Sequence, residues 1–202
     1  MAHKKLTLNK IQKIFIDIHQ IAEHILLAHG PFLKEGIYQD ILVQELNLRK
    51  ICNTREMVFN YKFNDSFGNQ IIIGNNQFLR TDIELNELGG ILELKSSGST
   101  SKDENLWQLR NYLENRHDKQ WGILINFISK FGPKTSPKVQ SSLLVKEEGD
   151  NSTFEVITSV GKKIEINRYY YENLYSLDYP KHNMIFRTPE EIREENATVT
   201  TV

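Results

Sequence analysis

Apolar residues recur at Ile11, Ile14, Phe15, Ile18, Ala22, Ile25 and Leu26. That three- and four-residue spacing marks one helical face, so residues 9–29 read as an amphipathic helix. Gly30-Pro31 breaks it. A second helix is predicted over 33–49, where Ile37, Tyr38, Ile41, Leu42, Leu46 and Leu48 share one broad face. Glu45 falls inside that face, and Glu35 lies at its edge in the first turn. A carboxylate among apolar neighbours needs a partner, because burying an unpaired charge is costly.

The period then shortens to two. Met57, Phe59, Tyr61 and Phe63 alternate along one predicted strand. Turn-forming residues fill 64–69, and strands are expected at 70–74 and 78–85. Gly89-Gly90 precedes a short, mostly apolar strand at 91–96. A helix over 102–116 turns Leu106, Leu109 and Leu113 inward, and Trp121 to Phe127 reads as a buried strand. The order helix–helix–strands–helix–strand implies an α/β fold with a mixed sheet.

Beyond Gly132-Pro133 the texture changes. Short strands are predicted at 139–145, 154–160 and 163–166, with Tyr169-Tyr170-Tyr171 after them and a polar end from 188. The expected organisation is a core over 8–130, a β-rich C-terminal extension over 138–187 and a disordered tail over 188–202. The extension either lengthens the sheet or forms a small β appendage.

Composition narrows the function classes. Hydrophobic residues make up 39% and charged residues 25% of the 202 positions, as in a soluble globular protein. No apolar run approaches the roughly 20 residues that span a membrane. The basic start, MAHKKLTLNK, is followed by an amphipathic segment rather than a secretory apolar core. Cys52 is the only cysteine, which excludes an intramolecular disulfide and cysteine-based metal clusters. The expected location is intracellular, cytoplasmic or nuclear, and not secreted. With a formal net charge of -1, nucleic-acid contact must come from a local basic patch or a bound cation.

The candidate chemistry sits on the 91–96 strand. Glu93 and Lys95 are two apart, so strand alternation puts them on one face, among apolar Ile91, Leu92 and Leu94. A bare Glu-x-Lys is common and by itself reads as an ordinary salt bridge. Here Asp82 lies on the preceding strand, and a hairpin through 86–90 would bring it beside Glu93. Two carboxylates suit Mg2+, which binds oxygen and keeps several waters. Such an ion polarises a phosphoryl oxygen, and Lys95 can neutralise charge growing on the phosphate. Gln108 and Tyr112, four apart on the following helix, lie side by side and can lean over the strand end.

Other groupings are weaker. His19, His24 and His29 are five apart, and about 140° of rotation between successive members denies them a common helical face for zinc. Arg168 with Tyr169-Tyr170-Tyr171 reads as a strand or as a base-stacking surface. Lys130, Lys134 and Lys138 read as a solvated loop or as phosphate contacts.

These segments together resemble a known family. His29-Gly30-Pro31-Phe32-Leu33-Lys34-Glu35-Gly36-Ile37-Tyr38, with Leu42 and Glu45-Leu46, is similar to the signature of the GxxExxY proteins. Arg80-Thr81-Asp82, Ile91-Leu92-Glu93-Leu94-Lys95, Gln108 to Leu113 and Gly122 to Phe127 resemble that family's R-x-D, V-E-L-K, Q-x-x-x-Y-L and G-L-L-I-N-F segments. Order and spacing match over residues 10–128. One departure is Phe32, which stands where the signature has its first Gly. The family is assigned to the PD-(D/E)XK nuclease superfamily, and the Gln–Tyr helix is similar to that of RecB-type nucleases. The resemblance implies a restriction-endonuclease-like core in which Asp82, Glu93, the Leu94 carbonyl and Glu35 hold Mg2+ or Mn2+. It makes Lys95 the catalytic lysine and Gln108 and Tyr112 accessory. The family motif favours Glu35 as the helix acid, the apolar face favours Glu45, and both stay open.

The function expected is a metal-dependent nuclease cutting DNA, or RNA. The alternative is a catalytically silent nuclease-fold module that binds nucleic acid or a protein partner. A third reading is an assembly protein that forms homo-oligomers through the C-terminal extension. No membrane partner is expected.

Overall fold

Gly30 and Tyr38 set the helical layer. The computed structural model describes residues 5–62, 70–72, 78–98, 103–129 and 137–146, with the backbone of 63–64, 154–160 and 163–171. Helix α1 (Leu8–His29) buries Ile11, Phe15, Ile18, Ala22 and Ile25. It stops at Gly30, whose φ of 77° suits a residue without Cβ and whose N–H donates to the Leu26 carbonyl at 2.9 Å. Helix α2 (Glu35–Leu48) buries Tyr38, Leu42 and Leu46, one residue per turn. Its inward stripe is narrower than the sequence predicts. Ile37 is 44% and Leu48 76% exposed, because each is rotated away from the Tyr38–Leu42–Leu46 line. Tyr38 stacks on Phe127 at 3.9 Å and donates its hydroxyl to the Gly30 carbonyl at 2.8 Å, tying the α1–α2 link to the sheet.

The strands follow as β1 (Asn53–Arg55), β2 (Val58–Asn60), β3 (Lys62–Asn64), β4 (Gln70–Ile72), β5 (Phe78–Arg80), β6 (Ile83–Leu85) and β7 (Gly90–Ser97). Helix α3 (Asp103–Asn115) leads to β8 (Trp121–Ile128), β9 (Lys138–Lys146), β10 (Phe154–Val160) and β11 (Lys163–Tyr171). The main sheet runs β1-β6-β7-β8-β9-β10-β11. Only β7 and β8 pair in parallel; every other neighbour is antiparallel. Leu92 and Leu94 enter the core shared with α1 and α2, while Ile91 joins Leu109, Tyr112 and Leu113 of α3 on the other face.

Two single strands predicted from alternation are each broken. The 57–63 stretch divides at Tyr61, because β2 pairs with β5 while β3 pairs with β4. The 78–85 stretch divides at Thr81-Asp82, where the chain leaves the β2/β5 ribbon and joins the main sheet as β6. That second break positions the site described below. In the described part of the C-terminal third, β9, β10 and β11 extend the sheet, the first of the two alternatives, and β9 belongs to the core itself. Its Val139, Leu143 and Val145 are buried with α1. β11 runs on to Tyr171 rather than ending at 166. Lys130, Lys134 and the 188–202 tail lie outside the described residues. Among the described residues no helix is long and apolar enough to cross a membrane.

Close approach at two glycines allows the layers to meet. A Cβ on Gly90 would lie 2.4 Å from the fully buried Trp121 ring, and one on Gly122 would lie 2.7 Å from Leu109 Cδ1. Gly90→Ala is therefore expected to destabilise the fold by roughly 1–3 kcal/mol through overpacking. A urea titration reads this directly; an unchanged midpoint would show that Trp121 can move aside.

Candidate active site

The break before β6 frees the Asp82 side chain from the strand ladder. The Glu56 N–H donates to the Asp82 carbonyl at 2.9 Å, and the Thr81 N–H donates to the Met57 carbonyl at 3.1 Å. Ile83 pairs with Leu92, so the antiparallel register carries Asp82 toward Glu93. Its Oδ2 accepts the Leu94 N–H at 2.7 Å. A carboxylate thus takes a position where a neighbouring strand would offer a carbonyl.

Glu93 and Lys95 stand on the same face of β7, as alternation predicts. Glu93 is 1% exposed, and its Oε1 accepts from Lys95 Nζ at 2.6 Å. Its other oxygen, Oε2, is buried with no hydrogen-bond partner. Lys95 Nζ also lies 4.0 Å from Glu35 Oε1. The Glu35 carboxylate accepts the Ser96 backbone N–H, which ties the first residue of α2 to the end of β7. On the α3 side, Gln108 Nε2 donates to Tyr112 Oη at 2.6 Å. The structure thus assembles Glu35, Asp82, Glu93 and Lys95, with the Gln108–Tyr112 pair close enough to feel their charges.

Glu45 does not join them. It lies ten residues after Glu35, about 15 Å along the helix, and pairs with Arg49 at the far end of α2. Its place near the apolar stripe reflects this ion pair, which answers the question of what partner it needs.

Burial governs the electrostatics. It pushes Glu93 up to about 8, with the Asp82 charge adding and Lys95 opposing. Burial also raises Asp82 against the Leu94 N–H and Lys95, and raises Glu35 against Lys95. For Lys95 burial acts downward, but Glu93, Glu35 and Asp82 outweigh it and hold the ammonium charged. Burial and the Glu93 charge push Tyr112 up to about 12, so its phenol stays neutral.

Sequence reasoning missed a second charged cluster behind the first. Glu84 on β6 is 1% exposed and receives Arg116 in a bidentate pair, with the Nη2–Oε2 contact at 2.9 Å. Lys119 Nζ is 3.0 Å from its Oε2, and the Thr81 hydroxyl donates to Oε1 at 3.3 Å. The signal was present: Glu84 is an acid between apolar Ile83 and Leu85, the same pattern that singled out Glu93. Asn126, fully buried on β8 beside Lys95, accepts the Ser97 hydroxyl at 2.9 Å and continues the polar row.

Two other arrangements fall away. Glu23, His19 and Ser141 line up like a hydrolytic triad, with His19 Nδ1 2.7 Å from Ser141 Oγ and His19 Nε2 3.5 Å from Glu23 Oε1. Ser141 and His19 are fully buried between α1 and β9, so no substrate reaches them. His24 and His29 are exposed and stand apart from His19. Among the described residues no three His, Cys, Asp or Glu side chains close into a metal cage.

The orphaned Glu93 oxygen tests whether a cation suits the site. A buried carboxylate oxygen without a donor is unfavourable, and a divalent ion supplies what no side chain there does. Asp82 beside it adds charge and hard oxygen. The residues fit an ion held by few protein ligands and completed by water.

A mixed sheet flanked by helices, with acids and a lysine gathered along a parallel strand pair, defines a restriction-endonuclease-like fold. The model of the PD-(D/E)XK nuclease superfamily matches residues 11–137. The chain belongs to that superfamily, whose members generally hydrolyse phosphodiester bonds and typically use divalent metals. Comparison with curated proteins and with solved structures gives no match.

Proposed function

We propose that this chain is a nuclease dependent on Mg2+ or Mn2+ that cuts DNA, or RNA, at the Asp82–Glu93–Lys95 site. The observation that carries this reading is the buried, unpartnered Glu93 Oε2 beside Asp82. Asp82, Glu93 and the Leu94 carbonyl would hold the ion, with Glu35 completing its surroundings. When bound, the ion supplies Lewis acidity toward a phosphoryl oxygen and makes water more acidic.

The chain's own groups do the rest. Lys95 is kept protonated by three acids, so it stabilises negative charge on the phosphate rather than taking a proton. Tyr112 stays a neutral phenol, and Gln108 fixes its orientation. The single thiol, exposed at Cys52, fits action inside the cell. Purified protein should cut end-labelled DNA or RNA oligonucleotides with Mg2+ or Mn2+ and not with EDTA. No cutting across single-stranded, duplex and RNA substrates would overturn the reading and favour a silent binding module.

Ion uptake should depend on pH. With Glu93 near 8, the ion must displace a proton at neutral pH. Calorimetric Mg2+ titrations in buffers of different ionisation enthalpy should show about one proton released at pH 6.5 and almost none at pH 9. Equal release at both would contradict the assignment. The sign for the ion-free fold is the reverse. A raised carboxyl favours the folded state fully below its unfolded value of 4.5, and that contribution is lost as pH rises through about 8.

A further inference from the structure

The chain leaves the main sheet for the β2/β5 ribbon at Glu56-Met57 and returns at Thr81-Asp82, and the two crossings face each other. The Glu56 N–H donates to the Asp82 carbonyl at 2.9 Å, and the Thr81 N–H donates to the Met57 carbonyl at 3.1 Å. Glu56 makes its turn with a φ of 52°, a left-handed conformation that L-residues seldom adopt. The crossing that aims Asp82 at Leu94 therefore also fixes Glu56 against the Asp82 backbone.

Arg80 stands two residues before Asp82 and opposite Val58, on the open face of the ribbon. Its Nη1 lies 4.0 Å from Glu56 Oε1, and the two side chains are 64% and 49% exposed. An ion pair so exposed and so long adds little to stability. Other cations nearby are held more firmly. Arg116 and Lys119 are bound to buried Glu84, and Arg55 is bound to Asp40 and Gln39. Asp82 feels both members of the loose pair. Burial raises its carboxyl and Glu56 adds to this, while the Leu94 N–H, Lys95 and Arg80 oppose.

We propose that Arg80 contacts a backbone phosphate of the bound nucleic-acid strand beside Asp82, and that Glu56 competes with this phosphate for the guanidinium. This rests on the nuclease reading above, whose metal site Arg80 adjoins. With Glu35, Asp82 and Glu93 ionised, a divalent ion and Lys95 do no more than balance them. An anionic strand then needs a further cation at the site, and the chain as a whole, at a formal charge of -1, offers no general attraction. Arg80 supplies that cation once it leaves Glu56. Its planar fork gives two parallel hydrogen bonds to a phosphate, which a lysine cannot match.

The test uses full-length wild type, Arg80→Gln, Arg80→Lys, Glu56→Gln and the double variant Glu56→Gln/Arg80→Gln. Binding of labelled single-stranded and duplex oligonucleotides is read by fluorescence anisotropy across a salt series, with Ca2+ as the ion. Cleavage with Mg2+ is followed in parallel on gels. Arg80→Gln should bind about 10-fold or more weakly, and its slope of log affinity against log salt should be shallower by about 0.7–0.9. Arg80→Lys should keep the wild-type slope, because the charge remains. Glu56→Gln should bind about 2- to 5-fold more tightly, and that gain should vanish in the double variant. All four variants should melt with wild type, since both side chains are exposed. An unchanged salt slope in Arg80→Gln overturns the proposal, as does a Glu56→Gln gain that persists without Arg80. Wild-type cleavage then leaves the nuclease reading standing. Arg80-dependent binding without any cleavage overturns the nuclease reading alone. A wild type that neither binds nor cuts overturns both.

Discussion

Replacing Asp82 with Asn should lower ion-dependent cleavage about 10³-fold or more while leaving the protein folded. The carboxylate of Asp82 has two jobs. Its Oδ2 accepts the Leu94 N–H at 2.7 Å, a task that an amide oxygen performs equally well. Its negative charge sits beside the orphaned oxygen of Glu93, and no amide replaces that. Asp82→Asn thus separates the structural hydrogen bond from the charge. A second readout follows from the electrostatics. Asp82 helps burial hold the Glu93 carboxyl high, so Asp82→Asn should lower the Glu93 pKa from about 8. Carboxyl chemical shifts across pH would show that change without any substrate present. Loss of cleavage with an unmoved Glu93 titration would place the Asp82 effect elsewhere.

Glu84→Ala should cost about 3–5 kcal/mol of stability, the scale for breaking a buried ion pair and stranding its partners. The side chains of Glu84 and Lys119 are 1% and 2% exposed, and that of Arg116 is 18% exposed. Removing the acid leaves Arg116 and the buried Lys119 to share Asp118, whose side chain is 42% exposed, as their remaining carboxylate partner. Glu84→Gln should cost less, because an amide keeps one acceptor for Arg116 or Lys119. The effect should also reach the site. The Thr81 hydroxyl donates to Glu84 next to Asp82, so the turn that aims Asp82 loses an anchor. Chemical denaturation of both variants checks the stability, and a Mg2+ titration of Glu84→Gln checks the coupling. A Glu84→Ala loss below about 1 kcal/mol would show that water enters and solvates the cations.

The parts of the site legible in the sequence are those fixed by local geometry. Strand alternation alone puts Glu93 and Lys95 on one face, and helical spacing alone puts Gln108 beside Tyr112. Asp82 needed a hairpin, which Gly89-Gly90 announces. The choice between Glu35 and Glu45 was not legible. Both lie on one helix, and which end of it meets β7 is decided by the Tyr38–Phe127 stack and the Ser96 contacts, all distant in sequence. The two broken strands were missed for a related reason. Alternation continues through Tyr61 and through Thr81-Asp82, while the pairing partner changes there. The Gly132 to Pro137 stretch reads as a boundary that puts β9 in an extension, yet Val139, Leu143 and Val145 complete the α1 core. Strand neighbours so far apart in the chain leave no periodic trace.

The most direct measurement is the anomalous difference density of a crystal soaked in Mn2+. The account predicts a peak within coordination distance of Glu93 Oε2 and the Asp82 carboxylate, roughly 2.0–2.3 Å away and lost in Asp82→Asn. A fully occupied Mn2+ bound elsewhere, with Glu93 still paired only to Lys95, would contradict it.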